Sequence, residues 1–216
     1  MTSFETRAAE LDAADPLAAH RAKFFGTDEA TQSSTPGMPL AYFDGNSLGR
    51  PMSASFDRIE AFLRHDWGTR LIRSWDEQWL DLPLELGNKI GAAALGAAPG
   101  QTFVGDSTSV LLYKMARAAI GARPGRTEIV LDTDNFPTDR YLLEGIADEL
   151  NMTLRWIEVD TSSGVTPEQV AAVVNSNTAL VLLSHVAYRS GFMADAPAIT
   201  KITHDAGALI VWDLSH

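Results

Sequence analysis

Apolar residues are arranged differently in the two halves of the chain. In the first third they are scattered among polar residues. Residues 5–25 suit one or two short helices broken at Pro16. The stretch "TDEATQSSTPGMP" reads as a loop, and "LAYFDGNSLGRP" as a short apolar piece running into a Gly-rich turn. Phe56, Ile59 and Phe62 recur at helical spacing, predicting a helix capped by Ser53 and running to about Arg64. A further helix is expected from Asp76 to Leu95. From residue 101 the texture changes to continuous apolar runs alternating with amphipathic stretches. "QTFVG", "EIVLD", "TLRWIEV", "TALVLLSHV" and "ALIVWDL" read as strands. Between them, "STSVLLYKMARAAIG", "PTDRYLLEGIADEL", "PEQVAAVVN" and "APAITKITHDAG" read as helices. Strands that are apolar along their whole length are buried on both faces. The expected fold class is therefore α/β, three-layer, a mainly parallel sheet with helices on both faces.

Composition narrows the function without naming it. The 216 residues carry a formal net charge of −11, and such a surface repels nucleic acid and anionic membranes. There is no cysteine, which excludes disulfides, thiolate metal sites and a cysteine nucleophile, and fits a cytoplasmic protein. The polar N-terminus is not a signal peptide, and no apolar run reaches the roughly 18 residues of a membrane helix. No Gly-x-Gly-x-x-Gly, Walker A, nucleophile-elbow or His-Glu-x-x-His pattern occurs where chemistry would need it. A metal site is not expected: Asp213 and His216 alone are too few ligands.

In parallel sheets ligands sit outside the carboxyl ends of the strands. Four such ends carry polar or aromatic residues. "DSTS" (Asp106–Ser109) opens a helix, where free N–H groups and hydroxyls form either an anion site or a plain cap. "TDNFPTD" offers Asn135 or Asp134 as a cap, Pro137 for the first turn, and Phe136 as a ring platform or a hydrophobic staple. "SHVAYRSG" brings Ser184 and His185, the histidine being expected as structural. "WDLSH" brings Asp213 and His216, the aspartate serving a ligand or capping a later helix. An anion cradle, an aromatic plate, a hydroxyl and a carboxylate together suit a planar, phosphorylated, cationic heterocycle. Pyridoxal 5'-phosphate has those features, and a carboxylate on its ring nitrogen keeps that nitrogen protonated.

The motifs "YFDGNSLG" (Tyr42–Gly49), "WGTRLIRSW" (Trp67–Trp75), "GDSTS", "NFPTD", "LSHVAYRSG" and "WDLSH" resemble those of the kynureninase family. These are pyridoxal-phosphate enzymes of aspartate-aminotransferase-like fold, related to class V aminotransferases. The resemblance implies that Ser107 and Thr108 hold the cofactor phosphate, and that Phe136, Pro137, Thr138 and Asp139 line the cofactor. It implies Ser184 near the phenolic oxygen, Asp213 on the ring nitrogen with His216 close by, and Ser47 and Trp75 towards the substrate. Residues 1–50 would form an N-terminal helical and irregular segment with a substrate-side loop, and residues 51–216 the first part of the large domain.

The implied reaction is hydrolysis of L-kynurenine or its 3-hydroxy analogue to anthranilate and L-alanine, within tryptophan catabolism and NAD biosynthesis. The intact enzyme would be a cytoplasmic homodimer. The family's cofactor-bearing lysine has no match among Lys23, Lys89, Lys114 and Lys201, all in segments expected to be helical. The chain is therefore expected to be the N-terminal part of a longer enzyme and inactive alone. Two rivals remain: another class V enzyme, such as a transaminase or desulfurase-like lyase, or a non-catalytic module.

Overall fold

A computed structural model describes residues 3–39 and 41–216, with the side chains of 29 and 30 left aside. The short apolar piece expected from Leu40 thus begins outside the described residues. The chain divides into two compact units, Met1–Phe103 and Val104–His216.

The first unit is helical: α1 (Ser3–Ala14), α2 (Ala18–Arg21), α3 (Glu29–Ser34), α4 (Ser53–Ala61) and α5 (Leu82–Ile90). The break at Pro16 is where the sequence puts it. Three π-helical segments, Phe62–Arg70, Trp75–Trp79 and Gly91–Leu95, interrupt or extend these helices. Several expectations fail here. The polar stretch after Thr27 is not all loop, because the Asp28 carboxylate accepts from the Thr31 N–H at 2.7 Å and starts α3. Ser53 is the first helical residue rather than the cap, which is Met52. The single helix expected over 76–95 is broken at residues 80–81, and Lys23 lies in a turn rather than a helix.

"QTFVG" is not a strand either. Its backbone lies against α5 instead of in a ladder. A side chain at Gly87 would collide with the Thr102 carbonyl oxygen, and one at Gly91 with the Thr102 hydroxyl. Only glycine allows that approach.

The second unit is built as the sequence predicts, with elements α6 (Thr108–Gly121), β1 (Glu128–Asp132), α7 (Pro137–Leu150), β2 (Thr153–Ile157), α8 (Pro167–Val173), β3 (Thr178–Ser184), α9 (Ala196–Asp205) and β4 (Leu209–Asp213). The strands pair in parallel in the order β2-β1-β3-β4. Central β3 is buried from Thr178 to Leu183. One face of the sheet packs Ile129, Leu131, Leu180 and Leu182 against α6 and α7 residues such as Leu112, Ala116, Leu143 and Ile146. The other packs Val130, Val181 and Leu183 against Val170 of α8 and Ile199 of α9. Helices on both faces follow from parallel crossovers, and the strand order reverses between β1 and β3, where such sheets open a crevice.

Two arginines just past α6 fix its direction. Arg123 Nε donates to the Gly207 carbonyl at 2.7 Å, and Arg126 Nη1 to those of Thr178 (2.7 Å) and Ala206 (2.9 Å). These acceptors lie at the amino ends of β3 and β4. The C-terminus of α6 is thereby tied to the amino end of the sheet. Fourteen helical residues span about 21 Å and five strand residues about 17 Å. The N-terminus of α6 therefore reaches the level of the carboxyl end of β4.

Gly207 has φ +76°, and a Cβ there would run into Arg126 Nη2. Gly207→Ala is expected to destabilise the protein by more than about 1 kcal/mol. Arg126→Ala should cost about 1.5–3 kcal/mol for its charged hydrogen bonds. The double variant should lose less than the sum, since both act on one contact. Denaturant unfolding of the four proteins checks this; strict additivity contradicts the shared contact.

Candidate cofactor crevice at the strand ends

The carboxyl ends of β1, β3 and β4 finish level, with Ser184 and Asp213 registered partners. Alternation along the strands turns Ser184 and Asp213 towards the α6 and α7 side. Asp213 is buried, and its Oδ1 accepts from the Ser215 N–H (2.9 Å) and hydroxyl (2.6 Å). It thus builds a local turn. The His185 N–H donates to the Asp213 carbonyl at 2.9 Å, and the imidazole sits edge-on to Trp212 at 5.9 Å. A structural role for this histidine accords with those contacts.

The β1 end is more elaborate than its sequence suggests. Neither Asp134 nor Asn135 is the cap of α7; Phe136 holds that position without a side-chain bond. Pro137 takes the first turn, as expected. Asn135 is buried and braces the loop. Its Nδ2 donates to the Leu182 carbonyl (3.2 Å), and its Oδ1 accepts from the Phe136 N–H (2.8 Å) and the Ser184 hydroxyl (3.4 Å). Phe136 is left half-buried, its ring 5.6 Å from His216 and 5.3 Å from Tyr188. Thr138 is exposed on the first turn of α7.

In the first turn of α7, Asp139 is only 1% exposed. Burial, then the charges of Asp213 and Asp132, push its carboxyl up to about 7. Burial likewise pushes Asp132 up to about 6, with the Asp134 charge adding to the rise against the backbone N–H that bonds it. Asp139 Oδ2 and His216 Nδ1 are buried without a hydrogen-bond partner. Orphaned polar atoms of this kind cost free energy unless something fills the site. At the other edge, Ser107 caps α6, its hydroxyl accepting from the Val110 N–H at 3.4 Å. Thr108 starts the helix, and both are exposed. The capping role and an anion-binding role are compatible, because one cap leaves further N–H groups of the first turn free.

Phe136, Asp139, Ser184, Asp213 and His216 thus come together at the carboxyl ends of the strands, while Ser107 and Thr108 stand at the head of α6. Ser47, in the turn after Asp44, and Trp75, edge-on to Trp79 at 5.8 Å, belong to the first unit. Among the described residues no three His, Asp or Glu side chains gather to hold a metal ion, and no helix is long and apolar enough to cross a membrane. Sequence reasoning missed Tyr188 and Arg189. Tyr188 stands edge-on to Phe136, and Arg189 approaches Asp134 at 3.4 Å. An aromatic beside a cation, four residues past a strand tip, was the signal available.

A family model described as aminotransferase class-V matches residues 105–216. The chain is 40% identical over 215 residues to a kynureninase from Pseudomonas fluorescens, covering 95% of this chain and 47% of that protein. It is 34% identical over 213 residues to a kynureninase from Burkholderia pseudomallei, with the same shares covered. It spans about half the length of these curated relatives. Among solved structures, a NifS-like protein is similar with a TM-score of 0.66 at 17% identity, over 81% of this chain and 48% of the other. A C-DES variant with glycine covalently linked to its PLP cofactor gives 0.67 at 17%, over 81% and 46%. With the family model spanning just over half of its residues, this chain belongs to the class-V aminotransferase family.

Proposed function

We propose that this chain is the cofactor-binding part of a pyridoxal-phosphate-dependent hydrolase that splits L-kynurenine, or its 3-hydroxy analogue, into anthranilate and L-alanine in tryptophan breakdown. The observation that carries the cofactor assignment is the pair of buried carboxylates, Asp139 and Asp213: burial first, and then the Asp213 charge, raise Asp139. Two acids in one desolvated crevice invite a cation. A protonated ring nitrogen is such a cation on a flat, apolar body, which suits the half-buried Phe136 ring. The kynureninase relatives support the choice of substrate.

When bound, the cofactor supplies an electron sink for the bonds broken at the amino-acid substrate. The residues of this chain have separate tasks. Asp213, with Asp139 behind it, would accept the ring N–H and hold the proton on that nitrogen. Such a charge-assisted bond contributes about 1.5–3 kcal/mol. Phe136 would cover one ring face and keep water from it, with Pro137 and Thr138 completing that wall. Ser107 and Thr108, with the first N–H groups of α6, would bind the phosphate. Ser184 would donate towards the phenolic oxygen, and His216 would fill the space beside Phe136 with its free Nδ1 turned to the ligand. Ser47 and Trp75 would serve the substrate. The intact protein is read as a cytoplasmic homodimer without nucleic-acid or membrane partners.

The full-length protein given kynurenine should release anthranilate, followed by its fluorescence, and should show a visible absorption band from bound cofactor. A band without anthranilate replaces the reaction with another class V chemistry. No band overturns the cofactor assignment.

Asp139 yields a pH prediction with a definite sign. Its folded carboxyl, at about 7, lies above the ordinary aspartate value of 3.8, so between those values the folded state binds more protons than the unfolded one. Stability of the cofactor-free protein from this group therefore falls as pH rises from about 4 to about 7. Asp139→Asn should raise the melting temperature of the cofactor-free protein at pH 8, and the gain should vanish near pH 4. The same change should weaken cofactor binding about tenfold, by removing a charge from the ring nitrogen's surroundings. Thermal unfolding at the two pH values and cofactor titration test both halves. A variant less stable than wild type at pH 8 contradicts the raised carboxyl.

A further inference from the structure

The chain between His185 and Ala194 forms a small hairpin. Val186 and Met193 make an antiparallel bridge, the Ala187 N–H donates to the Phe192 carbonyl (2.9 Å), and the Ala194 N–H to the His185 carbonyl (2.9 Å). The far side of its turn is anchored: the Ser190 hydroxyl donates to the Ser163 carbonyl at 2.6 Å, and the Phe192 ring packs on Gly164. The near side of the turn meets the loop that follows β1. There the Tyr188 ring meets Phe136 edge-on at 5.3 Å with an interplanar angle of 77°. Arg189 Nε donates to the Tyr188 hydroxyl at 2.9 Å, its guanidinium carbon lies 5.3 Å from the Tyr188 ring centre, and Nε is 3.4 Å from Asp134 Oδ1.

Asp134 gives this contact its weight. Its side chain is 7% exposed, and Oδ2 is buried without a hydrogen-bond partner. Its nearest acidic neighbour, Asp132, repels it and accepts its backbone N–H at 3.1 Å. Among the described residues, Arg189 is the cation paired with it. A buried carboxylate that loses its counter-charge is drawn towards water. Movement of Asp134 would carry Phe136, two residues on, along with it.

We propose that Asp134, Tyr188 and Arg189 form a charge-held clamp that sets the plane of the Phe136 ring at the crevice wall, with Arg189 its positioning residue. The clamp rests on the reading that Phe136 faces the cofactor ring. Asn135 fixes the Phe136 backbone through the 2.8 Å bond, and Tyr188 limits the ring from its edge. Arginine suits the task because its plane can lie on a tyrosine ring while an N–H meets a neighbour.

The test uses the full-length protein as wild type and as Arg189→Ala, Arg189→Lys, Asp134→Asn and the Asp134→Asn/Arg189→Ala double variant. Pyridoxal phosphate is titrated into each, and circular dichroism is read in the cofactor band and in the near-ultraviolet of the cofactor-free proteins. Arg189→Ala should raise the cofactor Kd about tenfold and reduce both dichroic signals. Arg189→Lys should fall between it and wild type. The double variant should recover most of the loss, because an amide at 134 no longer needs a counter-charge. A residue that merely holds the loop in place would give no such rescue. Unchanged Kd and dichroism in Arg189→Ala, or a double variant no better than the single one, overturns the clamp. If Arg189→Ala fails to fold, Arg189→Lys decides: unchanged signals overturn the clamp, and a partial loss upholds it. A wild-type protein that takes up no pyridoxal phosphate overturns the functional reading instead, and the clamp is then judged on the cofactor-free dichroism alone.

Discussion

Two carboxylates, Asp139 and Asp213, share a desolvated space at the ends of a parallel sheet, and the rest of the crevice is arranged around that fact. In water their repulsion would be slight. At the lower effective dielectric beneath α6 and α7 it is several times larger, and burial together with that repulsion raises the Asp139 carboxyl to about 7. A folded protein gains nothing from such a pair by itself. Each added acid in the vicinity, Asp132 on the strand and Asp134 on the loop, raises the cost, and among these the cation paired in the structure is Arg189 beside Asp134. Among the described residues no cation is paired with Asp139 or Asp213. Asp213 holds the Ser215 turn, but Asp139 Oδ2 is buried without a partner, and that uncompensated cost is what the proposed cationic ligand would offset.

The fold locates that cost at one end of the sheet and its mechanical support at the other. Arg123 and Arg126 bind carbonyls at the amino ends of β3 and β4, and Gly207 makes room for the guanidinium. That contact sets the direction of α6 and so carries Ser107 to the level of Asp213, though the two are more than a hundred residues apart in sequence. Substitutions at the amino end should therefore act on stability, and those at the carboxyl end on ligand binding. Asp139 would carry the opposition within one residue, its neutralisation expected to relieve the apo protein and to weaken the proposed bound state.

The second unit was legible because buried parallel strands leave a simple trace. "TALVLLS" can be apolar throughout only if both faces are covered, and β3 is so covered. The strand-tip rule then directed attention to Phe136, Ser184 and Asp213. The first unit was less legible for a physical reason. A π-helical turn takes in about one more residue than an α-turn, so apolar positions spaced for an α-helix lose their common face across the run from Phe62 to Arg70. Phe56 and Ile59, at helical spacing, are more than half exposed within their unit. "QTFVG" looked like a strand because its residue types favour one, yet a strand needs a ladder partner, and Thr102 lies on α5 instead. Tyr188 and Arg189 were missed because their value comes from Asp134, more than fifty residues away, and pairing of that kind leaves no periodic signal.

An acidic protein that is to hold a phosphate faces an apparent contradiction, and the geometry around α6 resolves it by range. With a formal charge of −11, the average field repels anions. At physiological ionic strength that field decays over about 8 Å, whereas the first N–H groups of a helix act at contact distance. The acid nearest the cradle, Asp106, is met by Lys114 Nζ at 2.6 Å, two turns along the same helix. That exposed pair adds little to stability. Its effect is local: it holds one negative charge beside a cation at the rim where a phosphate would sit. Selectivity then follows from the same layout. A plain anion meets only the cradle and the repulsive field, while a ligand that joins an anion to a distant cationic ring also meets the acids at the strand ends. On the proposed reading, the chain's acidity would discriminate among phosphorylated ligands by what the phosphate is attached to.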